Sequence, residues 1–136
     1  MDIKELVEKA HETAVQHGFW DPAPELGTSI ALIHSELSEV LEEARAGRPA
    51  NQNYYECRRE DGKKPICQGP ENACWASESN RKECGFAKPC GIPSELADAV
   101  IRIADLAGAL GIDLDAAIIE KMAFNENRPY KHGKKF

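Results

Sequence analysis

Two stretches of this chain carry the same short pattern, and both sit in helical periodicity. The first reads Ser35-Glu36-Leu37-Ser38-Glu39 and the second Ser94-Glu95-Leu96-Ala97-Asp98. Each has the form Ser-Glu-Leu-small-acid, so its two acids stand at i and i+3, one turn apart on one helix face. An apolar stripe runs beside each acidic face: Ile30, Ile33, Leu37, Val40, Leu41 and Ala44 in the first, and Leu96, Ala99, Val100, Ile103, Leu106, Ala107 and Leu110 in the second. Spacing of that kind predicts an amphipathic helix. If the two stripes pack together, all four carboxylates are drawn toward one groove. There they repel and lose hydration unless a cation lies between them. Hard oxygen ligands of this type suit magnesium or manganese. For either motif alone, a solvated acidic face is the ordinary alternative; the matched pair is what favours a metal.

The same periodicity places helices over about residues 2–17, 26–46 and 94–110, with a last one from Leu114 to near Asn127. Gly18, Gly47-Arg48-Pro49, Gly111 and Pro129 punctuate them, and Asp113 is a good N-cap for the last. Residues 49–93 differ in kind. They hold all five cysteines and five of the eight prolines, show no period and read as an insertion or long loop. No segment reads as a convincing strand. With 136 residues the chain has one domain's worth of length. The expectation is an all-α bundle of four main helices with a Cys-rich insertion. Its stripes are too apolar for one small bundle, which predicts a homo-oligomer, dimer or tetramer.

Charge excludes several function classes. There are 23 acids against 17 Lys and Arg, a net charge of -6, which argues against binding a nucleic-acid backbone. No window approaches a membrane span, and Met1-Asp2-Ile3-Lys4-Glu5 lacks a secretory apolar core, so a cytoplasmic protein is expected. A di-iron bundle wants Glu-x-x-His on two helices, and only Glu8 and His11 have that spacing.

Taken together, the motifs resemble the MazG-like all-α nucleotide pyrophosphohydrolases. Ile33 to Glu39 and Glu95 to Ile103 are similar to that family's two metal helices. Lys121-Met122-x-x-Asn125-x-x-Arg128-Pro129 and His132 to Phe136 resemble the C-terminal signature of a phage and bacterial branch. The resemblance implies hydrolysis of a nucleoside triphosphate, deoxynucleoside by expectation, to the monophosphate and pyrophosphate. It implies Mg2+ or Mn2+ held by Glu36, Glu39, Glu95 and Asp98, with Glu36 or Glu39 accepting a proton from water. Arg102, Lys121, Arg128, Lys131 and Lys134 are the candidates for binding phosphates. Trp20 is the candidate for stacking on the base, and Asn125 for reading a base edge or a sugar hydroxyl.

The cysteine segment departs from the compact family pattern. Cys57, Cys67, Cys74, Cys84 and Cys90 include no Cys-x-x-Cys pair. A structural Zn2+ held by these thiolates, reduced thiols in a loop, and disulfides are the three readings. A second function also stands beside the enzyme: a non-catalytic helical module that binds a metal or a partner through the acidic groove and the cysteine loop.

Overall fold

A computed structural model describes residues 1–57 and 87–135. Four helices carry most of that chain: α1 (Ile3–Gln16), α2 (Leu26–Arg45), α3 (Ile92–Ala109) and α4 (Leu114–Glu126). The predicted helices lie where the periodicity put them, with ends shifted by one or two residues. Asp2 starts α1 with a capping box: its carboxylate accepts from the Glu5 N–H at 2.8 Å, and its own N–H donates to Glu5 at 3.1 Å. Asp113 caps α4 as expected, accepting from the Ala116 N–H at 3.0 Å.

One expectation is corrected. The segment 49–93 is not wholly loop, because an antiparallel two-stranded ribbon closes its two ends. Strand β1 (Tyr54–Cys57) pairs with β2 (Ala87–Cys90) in the register Tyr54↔Cys90 to Cys57↔Ala87. Strands of four residues give too little alternation to be read from a sequence, and their partners are far apart in the chain. That register puts Cys57 and Cys90 at opposite ends of the ribbon, about 10 Å apart along the strand direction at ~3.3 Å per residue.

The chain clusters into two compact units. One comprises residues 1–33 and 100–136, the other residues 34–99. In the first, the interior is made of small side chains, Ala10, Ala104 and Ala107. A Cβ on Gly108 of α3 would lie 2.7 Å from the Cβ of His11 on α1, so only glycine allows that approach. α1 also packs against α4. Among the described residues of the second unit, Glu36, Cys90, Gly91, Glu95 and Ala99 are buried.

Many large apolar side chains of the described residues stay exposed. Leu37 and Leu96, expected to face each other, are each 46% exposed. The carboxylates beside them take the interior instead. Ile119, Met122 and Phe124 of α4 are also exposed. Among the described residues no helix is long and apolar enough to cross a membrane.

Gly91 joins β2 to α3 at φ +107°, and a Cβ there would sit 2.8 Å from the Gln52 carbonyl oxygen. Gly91→Ala is expected to destabilise the protein by about 1–3 kcal/mol from backbone strain, with the clash added. A lowered thermal midpoint would show it; an unchanged one would contradict the junction described.

Candidate metal centre

The carboxylate site lies within the second unit. Glu36 and Glu39 project from one face of α2, and Glu95 from the first turn of α3. Ligand oxygens of these three all lie within 4.8 Å of one another. Burial divides them. Glu36 is 8% exposed and Glu95 4%, whereas Glu39 is open to solvent. One oxygen of Glu95, Oε2, is buried with no hydrogen-bond partner.

A buried carboxylate beside two others resists ionisation. The Glu95 carboxyl is pushed up to about 7, chiefly by burial and then by a hydrogen bond with Glu39. The charges of Glu39 and Asp98 push the same way, and the Lys88 ammonium opposes them. The raised value reflects the cost of burying the Glu95 carboxylate among other acids. An unpartnered buried oxygen and three hard donors fit magnesium or manganese.

Of the four expected ligands, three converge. Asp98 is half-buried, one turn beyond Glu95 on α3, and lies outside the group whose oxygens meet. It acts on Glu95 through its charge. His34, two residues before Glu36, is exposed.

The other expected site residues belong to the first unit. Trp20 is half-buried, and its indole N–H donates to Asp105 Oδ1 at 2.9 Å. The same oxygen lies 2.8 Å from His11 Nδ1, and the His11 and Trp20 rings meet edge to face at 5.4 Å. Lys121 and Arg128 both flank Phe124, with Nζ and the guanidinium carbon 5.3 and 5.6 Å from the ring centre. Lys131 lies over Tyr130, while Asn125 and Lys134 are exposed. Arg102 is half-buried on α3.

Of the cysteines, Cys67, Cys74 and Cys84 lie outside the described residues. Cys90 is buried, with its thiol 3.7 Å from the Lys88 carbonyl. Cys57 sits in β1 opposite Ala87.

Sequence reasoning missed several partners of these groups: His11 and Asp105 around Trp20, Lys88 near Glu95, and the pair formed by Glu43 and Tyr54. The Asp105 contacts join residues 85 and 94 positions apart, and no local signal marks them. Glu43 alone had a hint, four residues after Glu39 and so on the same face.

Comparison with protein families, curated proteins and solved structures finds no match to this chain.

Proposed function

We propose that this protein is a magnesium-dependent hydrolase that cleaves a nucleoside triphosphate, by expectation a deoxynucleoside triphosphate, between its α- and β-phosphates. The products are the monophosphate and pyrophosphate, and the role is housecleaning of the nucleotide pool in the cytoplasm. One observation carries the reading: Glu95 is buried with an unpartnered oxygen, beside Glu36 and Glu39. Burying carboxylates together is unfavourable, and a divalent cation is the simplest compensation. The segments that supply them are the ones that resemble the MazG-like metal helices.

Glu36, Glu39 and Glu95 would hold the ion, with Asp98 beside Glu95. Magnesium in such a site neutralises phosphate charge and acidifies a water. Glu39, the exposed member, takes the proton as the water adds across the α–β anhydride. The resemblance assigns the phosphate oxygens to Arg102, Lys121, Arg128, Lys131 and Lys134. The resemblance assigns the base to Trp20, whose indole N–H is satisfied by Asp105. The exposed apolar residues of α2, α3 and α4 support self-association, because a second copy would cover them.

The test is a panel of canonical and modified nucleoside triphosphates incubated with magnesium. Pyrophosphate and monophosphate are expected in equal amounts from at least one nucleotide. Metal binding without pyrophosphate from any of them would leave the non-catalytic metal-binding module as the reading.

A further inference from the structure

Glu43 is held by more than a solvated surface acid needs. Its Oε1 accepts a hydrogen bond from the Tyr54 hydroxyl at 2.7 Å, and Arg48 Nε approaches Oε2 at 3.8 Å. The Arg48 guanidinium also lies 4.3 Å above the Tyr54 ring centre. The Glu43 side chain is only 17% exposed. The Tyr54 phenol is pushed up to about 12, first by that hydrogen bond and then by burial. The interaction ties β1 to α2, one turn beyond Glu39.

The neighbouring residues reach the other helix. Asn53 Oδ1 accepts from the Ser94 hydroxyl at 3.4 Å, and Ser94 immediately precedes Glu95. Gly91, just before α3, is so close to Gln52 and Asn53 that a Cβ would meet them at 2.8 and 3.5 Å. Residues 52–54 therefore bridge the helix bearing Glu36 and Glu39 and the first turn of the helix bearing Glu95.

We propose that Glu43 and Tyr54 are a positioning pair for the metal centre, setting how far the α2 carboxylates stand from Glu95. The proposal rests on the metal-centre reading above and adds residues that touch neither metal nor nucleotide. Metal ligands tolerate only small displacements, and the partners that orient them commonly change metal affinity 10–100-fold when removed.

The test is Mn2+ binding to the full chain without nucleotide, followed by the electron paramagnetic resonance of the unbound ion. Tyr54→Phe and Glu43→Leu are each expected to weaken Mn2+ binding about 10-fold. The double variant should be no weaker than either single one, because both remove the same link. Glu43→Gln keeps an oxygen for the phenol and should retain most of the affinity. A purely structural role would lower the thermal midpoint and leave Mn2+ affinity alone. If Tyr54→Phe does not fold, Ser94→Ala cuts the same path at its outer end and should weaken binding several-fold. Wild-type affinity in the folded variants overturns the positioning pair alone. Absence of Mn2+ binding by the wild-type chain overturns the metal-centre reading and the pair with it.

Discussion

Glu39→Ala and Glu95→Gln are expected to abolish pyrophosphate release while the helical circular dichroism persists. Each removes one of the three carboxylates whose oxygens meet within 4.8 Å, Glu95→Gln taking the charge and leaving a weaker amide donor. A divalent ion stabilises developing phosphate charge by several kcal/mol, so losing it corresponds to a fall of about 10³-fold or more. The helices themselves do not depend on these side chains. α1 and α4 have their own caps, and the ribbon and Gly91 fix the start of α3. Asp98→Ala is a graded companion, since Asp98 stands beside the converging group. Initial rates of pyrophosphate release at saturating magnesium measure all three. Turnover near wild type in Glu39→Ala and Glu95→Gln would refute the site.

The second large effect is on stability, and it runs against the first. Glu95 has its carboxyl raised to about 7 in the folded chain, against an ordinary value of 4.5. Between those pH values the folded chain keeps a proton that the unfolded chain has released. Stability therefore falls as pH rises through this window. The contribution is present in full below about pH 4.5 and lost above about pH 7. At ~1.4 kcal/mol per pH unit it amounts to about 3 kcal/mol. For the metal-free protein that corresponds to a thermal midpoint roughly 10 °C lower at pH 8 than at pH 5 from this group alone.

Glu95→Gln carries no such proton, so the variant should lack this part of the slope. It should also be more stable than the wild type at pH 8 without metal, although it is inactive. Saturating magnesium should flatten the wild-type slope by replacing the proton. Thermal melts of both proteins at pH 5 and 8, with and without magnesium, decide it. Parallel slopes in the two metal-free proteins would show that Glu95 is not the strained group.

The helices were legible because their apolar residues recur at 3.6 and their ends carry local chemistry, as with Asp113 and the glycines at 18, 47 and 111. The pairing of Glu36 and Glu39 with Glu95 was legible too, as two similar motifs on two similar stripes. Which side of those helices turns inward was not. Glu36 and Leu37 are neighbours about 100° apart on the same helix, and periodicity alone favours burying the leucine. In the folded chain the glutamate is buried and the leucine exposed.

Local spacing determined where this chain is helical and which acids share a face, because those properties repeat every turn and need no distant partner. Only tertiary structure decided the rest. It selected three of the four acids to meet, joined Tyr54 to Glu43 and Ser94 to Asn53 across a ribbon, and set His11 and Trp20 on Asp105. Those hydrogen bonds join residues from 11 to 94 positions apart. Their geometry depends on how whole elements pack, and no periodicity within a single helix records it.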